Sequence, residues 1–346
     1  MENKEVHKRY ENIKDSVKNG VILYGAGING RWCLDFLNRK EIKVLAFIDS
    51  NKELLGKNIE GIEIISYQMY LDNYSNKIIL VTSKHHVKEI MNMHKDNKKI
   101  MSFDAWFIQT NYELYKRLRF NDEKSYIVLN KIMECMIDSD NSKLYTIAEL
   151  NQYFAFSPFF NTGNETFVDM GGYVGDTIER FLFAQNGSFD KIYVFEPGKV
   201  QINALKCRIQ RLVKEWAIDE KDIVIENMAI GEKVEEAFIE ENINSLASMH
   251  INYSLGNKIS VCSLDEYFKD KNVSFIKVDI EGNEYESLKG AENLIKRCRP
   301  KMAISVYHKP DDLLRITKLI NSWKLDYKFA LRHHSSMLME TILYCW

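Results

Sequence analysis

Twice along this chain a short apolar run empties into a glycine-rich turn, and the next apolar run ends in an acid. The first instance is Val21–Tyr24, followed by Gly25-Ala26-Gly27-Ile28-Asn29-Gly30, with Asp49 closing the run Lys43–Asp49. The second is Thr166–Met170, followed by a turn holding Gly171, Gly172 and Gly175, with Glu196 closing Lys191–Glu196. Apolar runs punctuated this way read as buried strands of a parallel sheet whose faces are covered by the intervening helices. At 346 residues the chain has room for two such domains.

The strand signals divide accordingly. Further strands are expected at Ile62–Ile65 and Lys77–Val81, and the first domain spans 1–105. Ahead of it, Val6, Tyr10, Ile13 and Val17 are spaced for an amphipathic helix over 1–19. Residues 106–160 lack comparable strands and read as a helical connector. The second domain, 161–346, adds strands at Asp222–Asn227, Ser274–Asp279, Met302–Tyr307, near Asp326–Leu331 and at Thr341–Cys345. Ile202, Leu205, Ile209, Leu212 and Trp216 form one helical stripe, and a further helix should run from Glu284 to about Arg297. The fold expected is α/β, two Rossmann-like domains joined by helices.

Composition narrows the function. Lys+Arg 47 against Asp+Glu 49 leaves a formal charge of −2, which argues against a nucleic-acid partner. No run approaches the ~18 apolar residues of a membrane span, so none is expected, and the charged stretch 1–20 lacks the apolar segment of a signal peptide. The six cysteines form no CxxC pair, which suits reduced thiols in a cytoplasm. A homo-oligomer is compatible with all of this.

In the second domain, Asp169 ends its strand at the sheet's carboxyl edge, where ligands of open α/β sheets bind. Glu196 follows Gly175 by 21 residues, the place for a carboxylate that accepts both hydroxyls of a ribose. Together they predict a nucleoside-type ligand. Asp176 has two readings, a ligand contact or a cap of the helix that follows.

Five segments here resemble the FkbM family of S-adenosylmethionine-dependent methyltransferases: FVDMGGYVGDT (167–177), VFEP (194–197), ENMAIGE (226–232), SLDEYF (263–268) and IKVDIEGNEYESLKGA (276–291). The resemblance covers roughly residues 165–346 and implies a class I methyltransferase sheet. It further implies that Asp169, Gly171, Gly172, Tyr173, Asp176 and Thr177 surround the amino-acid end of S-adenosylmethionine. Glu196 would hold its ribose, and Asn227, Met228 and Ala229 would approach the adenine. A subgroup element, here Tyr307-His308-Lys309-Pro310-Asp311, stands where other members end the strand in Glu. The same subgroup carries Gln152-Tyr153-Phe154, whose Tyr153 would reach over the cofactor.

Methyl transfer needs an aligned acceptor and, for an alcohol, a group that removes its proton. Asp279 is placed beside the sulfonium, as cofactor contact and first choice for positioning. His308 is the candidate base, since an unperturbed imidazole titrates near neutrality. Lys277 and Glu281 complete the charged face, Lys277 either in catalysis or simply paired with a carboxylate. A divalent ion on Asp279, Glu281 and His308 is the alternative way to acidify an alcohol. The motif has no ligand spacing that demands one, and no metal is expected.

In the first domain Gly25, Gly27 and Gly30 form G-x-G-x-x-G between strand and helix, a second nucleotide site with Asp49 as its ribose acid. Residues 46–66 resemble the N-terminal domain of PglD-like sugar acetyltransferases, over roughly 20–90. The function expected is methylation of a hydroxyl, or an amine, of a small glycan or nucleotide-sugar precursor in surface polysaccharide, capsule or flagellar glycan assembly. Two rivals are a nicotinamide-dependent oxidoreductase built on the first domain and a nucleotide-binding protein without chemistry.

Overall fold

The computed structural model describes residues 4–240, 250–252 and 257–346. The chain opens with α1 (Lys4–Ile13), which buries Ile13. The apolar stripe continues to Val17, but on a separate 3₁₀ turn over Ser16–Asn19 rather than on one helix to residue 19.

The first domain is a sheet of six strands: β1 (Val21–Tyr24), β2 (Val44–Ile48), β3 (Asn58–Ile59), β4 (Ile62–Ile65), β5 (Ile78–Val81) and β6 (Ile100–Ser102). Its order is β3-β4-β2-β1-β5-β6, and only the β3–β4 pair is antiparallel. Helices α2 (Ile28–Arg39), α3 (Tyr67–Asn73) and α4 (Val87–Met93) cover it. All four side chains of β1 are buried, as a strand sandwiched between helix layers requires. Order reverses beside β1, so the Gly25–Gly30 turn sits at a topological switch point.

Connector helices α5 (Phe103–Tyr115) and α6 (Glu123–Asp138) start on Ser102 and Asp122, whose side chains accept the Ala105 and Ser125 amides. Helix α6 is tied to the second domain through Ser125 Oγ, which accepts the Leu331 amide at 2.8 Å.

The second domain runs β7 (Thr166–Met170), α7 (Asp176–Ala184), β8 (Lys191–Phe195), α8 (Lys199–Trp216) and β9 (Ile223–Glu226). A small excursion follows, β10 (Ala229–Ile230), β11 (Glu235–Glu240), β12 (His250–Asn252) and β13 (Asn257–Cys262), then α9 (Leu264–Tyr267). It closes with β14 (Phe275–Val278), α10 (Glu284–Lys289), α11 (Glu292–Cys298), β15 (Lys301–Ser305), α12 (Asp312–Ser322), β16 (Phe329–His333) and β17 (Thr341–Cys345). The seven-stranded sheet has the order β16-β17-β15-β14-β7-β8-β9, with β17 antiparallel to both of its neighbours. Again order reverses beside the first strand, β7, so its exit is a switch point.

Two expectations need correcting, and one sheet was not foreseen. The helix from Glu284 to Arg297 is two helices, broken at Gly290, whose missing Cβ lets it press against the Gly231 carbonyl. The penultimate strand starts at Phe329, because Asp326 has a left-handed backbone (φ 55°) that no strand tolerates. The four-stranded β10-β13-β11-β12 sheet gave no sequence signal, and Ala237 and Val261 are among its few buried side chains.

Candidate active site

The exits of β7, β8 and β14 open on a cavity of about 300 Å³. Gly171 makes it possible. Its φ is +88°, and a Cβ there would collide with the Asp279 carbonyl, so only glycine lets these two strand exits approach so closely. The turn it begins leaves room for a ligand against bare backbone.

Beneath the cavity, Asp169 and Lys277 face each other in register across β7 and β14. Lys277 Nζ lies 2.9 Å from Asp169 Oδ1 and donates to the Gly171 carbonyl at 2.6 Å. Burial pushes the Asp169 carboxyl up to about 6, against the pull of Lys277. Burial also works against the Lys277 ammonium, but Asp169 and Asp279 outweigh it and hold the pKa above its usual value. The pair is a charged buttress. Asp169, expected at the cofactor, is fully buried below Gly171 and does not line the cavity, although Lys277 does.

One end of the cavity is built on Glu196. Its Oε2 accepts the Tyr173 amide at 2.9 Å and its Oε1 the Gly198 amide at 2.7 Å. Burial raises this carboxyl to about 7 in spite of those two amides. Glu196 lines the cavity with this carboxylate. Met228 and Ala229 form the adjoining wall. Asn227 is a correction: its side chain donates to the Glu196 and Pro197 carbonyls, holding the turn rather than facing a ligand. Gly172 likewise turns away, toward Val194 and Leu205. Asp176 and Thr177, in the first turn of α7, both line the cavity, and the cap position is Gly175.

At the other end, Tyr153, Asp279, Glu281, Tyr307 and Glu340 converge. Tyr153 donates to Asp279 Oδ2 at 2.5 Å, and Gln152 donates to Glu340. Burial raises Glu281 to about 7, partly offset by His308, and burial also raises Glu340. Tyr153, Tyr173, Glu281 and Glu340 all carry left-handed backbones (φ 68°, 44°, 56° and 62°). Non-glycine residues rarely adopt this conformation, and its strain collects at functional sites. Glu340 escaped the sequence reading: it lies between β16 and β17, immediately before Thr341.

His308 does not reach the cavity. It is 3% exposed, behind Asp279 and Glu281, with Nε2 3.7 Å from each and Nδ1 3.0 Å from Glu284. Burial disfavours the imidazolium, yet Glu284, Asp279 and Glu281 raise its pKa to about 10. A histidine already protonated is no base at neutral pH, which corrects the role expected for it. Donor atoms of Asp279, Glu284 and His308 lie within 4.8 Å of one another, so the cluster gathers Glu284 in place of Glu281.

The first domain reaches this wall. Trp32 of α2 lies against Gly282 and edge-on to the His308 ring, centroids 5.8 Å apart. Lys84, after β5, donates to the Tyr307 carbonyl at 2.9 Å. The first domain's own Gly25, Gly27, Gly30 and Asp49 line a separate pocket of about 530 Å³. There Asp49 accepts the Ala26 amide at 2.9 Å and the Asn51 amide at 2.8 Å. The acid expected to take a ribose is thus bonded to the phosphate loop itself.

Residues 169–329 match the family described as methyltransferase FkbM domain. Residues 17–102 match the family described as C2185-like, N-terminal, in place of the sugar acetyltransferase domain expected there. No curated protein matches the chain. Among solved structures, methyltransferase FkbM from Methylobacillus flagellatus KT is similar over 97% of this chain and 92% of its own, at 21% identity and a TM-score of 0.61. That likeness is one of fold and extends through both domains. Fibrillarin from Aeropyrum pernix, with natively bound S-adenosyl-L-methionine, shares 13% identity over 60% of this chain and 73% of its own, at a TM-score of 0.33. A putative methyltransferase from Streptococcus mutans, in complex with SAH, shares 11% over 56% and 95%, at 0.32. The last two are too remote to bear on this chain. The family match thus lies within the second domain, and the likeness to the Methylobacillus structure is one of fold alone. Among the described residues, no helix is long and apolar enough to cross a membrane.

Proposed function

We propose that the chain transfers a methyl group from S-adenosylmethionine to a hydroxyl, or an amine, of a small sugar-containing precursor. The observation that carries this is a single cavity with Glu196 at one end and Asp279, Glu281 and Glu340 at the other. S-adenosylmethionine supplies an electrophilic methyl group on a cationic sulfur. The cavity fits it in chemistry: bare backbone at Gly171, a carboxylate at Glu196 held by two amides, and acidic side chains where a sulfonium would lie.

Glu196 accepts the ribose hydroxyls, and Met228 and Ala229 flank the base. Gly171, Asp176 and Thr177 border the amino-acid end. Tyr153 fixes Asp279, which aligns the reacting centre. Glu281, whose side chain is one-third exposed, accepts the acceptor's proton as its oxygen takes the methyl group. His308 keeps its proton and holds the Asp279 and Glu281 carboxylates in place.

A polyhydroxylated acceptor is supported by the rim, where Gln152, Tyr307, Glu281 and Glu340 offer hydrogen-bond partners. The setting we propose is cytoplasmic assembly of surface polysaccharide, capsule or flagellar glycan. The nicotinamide alternative would place its cofactor on the first domain's Gly25–Gly30 turn and Asp49 instead. Calorimetric titration with S-adenosylhomocysteine tests the reading, with NADH as the rival ligand. Micromolar binding of the former supports it; heat with NADH alone overturns it.

A further inference from the structure

A groove of about 790 Å³ lies where the end of α2, the α5–α6 connector, α12 and the start of β16 meet. Six cations line it, Lys40, Arg117, Arg119, Arg315, Lys318 and Lys328, against one acid, Asp311. In a chain with 49 acids to 47 bases, that local excess stands apart. Asp311 is already neutralised, accepting from Arg39 at 2.8 and 3.1 Å. Arg315 is paired with Asp312 and Glu286. Among the described residues, the other five have no carboxylate within ion-pair distance. Arg119 is also held in place, its guanidinium donating to the Lys116 and Leu118 carbonyls at 2.9 Å.

Beneath the cations the wall is aromatic. Phe36 and Phe107 meet edge to face at 5.1 Å, and Phe120 and Phe329 also line the groove. Leu114 stays 46% exposed there. Phe36, Phe107 and Phe329 are buried, so the apolar surface a ligand can touch is that of Leu114 and the half-buried Phe120 and Tyr327, and cations gathered around it favour a polyanion with a flat apolar part. Asn121 adds an amide able to read a base edge. The volume is that of a site for a small organic ligand, which typically needs roughly 300–1,000 Å³.

We propose that this groove binds a nucleoside diphosphate, its phosphates on Arg117, Lys318 and Lys328 and its base against the aromatic wall. It is distinct from the first domain's glycine-rich pocket, with which it shares no residue, and it does not depend on the methyl-transfer reading.

The test is calorimetry on the full chain at low salt with uridine 5′-diphosphate, inorganic pyrophosphate and geranyl diphosphate. The expected result is micromolar binding of the nucleotide, tighter than pyrophosphate, weakened by about tenfold or more in Arg117→Glu/Lys318→Glu and by added salt. Both positions are exposed, and an unchanged thermal melt of the same variant reports that it is folded. If that variant melts early, Lys40→Gln/Lys328→Gln carries the same comparison. No nucleotide binding by the intact protein overturns the proposal. So does equal binding by the variants, which moves the nucleotide to the first domain, or tighter binding of geranyl diphosphate, which makes the site one for an isoprenoid.

Discussion

His308 Nδ1 stands 3.0 Å from Glu284 Oε1, with both side chains shut away from solvent. The same Glu284 oxygen accepts the Ile280 amide at 3.0 Å and the Gly282 amide at 3.2 Å. One buried ion pair therefore shapes the loop from Asp279 to Gly282, and with it the position of Glu281. Breaking such a pair from one side leaves an uncompensated buried charge, which typically costs about 3–5 kcal/mol.

Glu284→Gln should lower stability by about that amount, and Glu284→Gln/His308→Gln should recover part of it. The pair also sets a pH window. The His308 pKa is raised from 6.5 to about 10, so its contribution is complete below 6.5 and lost as pH climbs toward 10. The Glu284 pKa is lowered from 4.5 to about 2, so its contribution holds above 4.5 and fades toward 2. Thermal melts should peak between those limits, and a Glu284→Gln/His308→Gln profile that keeps the alkaline decline would count against the assignment.

Glu281→Gln should cut kcat by about 10²–10⁴-fold while leaving S-adenosylhomocysteine affinity unchanged. Because burial raises this carboxyl to about 7, wild-type kcat should climb with pH through neutrality and then level. Single-turnover rates across pH check it. A variant that retains the same ascending limb would transfer the base role elsewhere.

Glu196→Ala should weaken S-adenosylhomocysteine about a hundredfold, from two charge-assisted hydrogen bonds at ~1.5 kcal/mol each. The folded carboxyl sits near 7, so wild-type affinity should rise with pH through that value. Titrations at two pH values, one on each side of neutrality, read both effects. An affinity that ignores pH in the wild type would mean this carboxylate holds no ribose.

Lys277→Met should destabilise more than any exposed lysine change, by about 3–5 kcal/mol, because it strands the fully buried Asp169 without its counter-charge. Lys277→Met/Asp169→Leu should restore much of the loss. Chemical denaturation of the three variants measures it, and additive losses would show that the two side chains do not act as a pair.

How far the residues alone carried this reading depends on distance along the chain. Gly171, Glu196 and Asp279 close or follow buried strands, and apolar periodicity with glycine punctuation marks such places without any tertiary knowledge. Glu340 joins the same cavity from a turn before the last strand, with no local pattern to distinguish it from any exposed acid. Asp169 and Lys277 were both legible as strand residues. Their pairing depends on the register of β7 against β14, which no single segment encodes. His308 failed differently: its type suggested a base, but three carboxylates converging on it from other segments decide its protonation. Strand β6 and the β10–β13 sheet were too short or too polar to show a period.

Trp32 and Lys84 come from different segments of the first domain, yet they touch His308 and the Tyr307 carbonyl in the second. The two domains are consequently not interchangeable cassettes. A lineage that traded its first domain for a foreign one would have to inherit a tryptophan at the same height on the helix, or repair the neighbouring wall. Changes in either first-domain segment would then be felt at the wall formed by His308 and Tyr307.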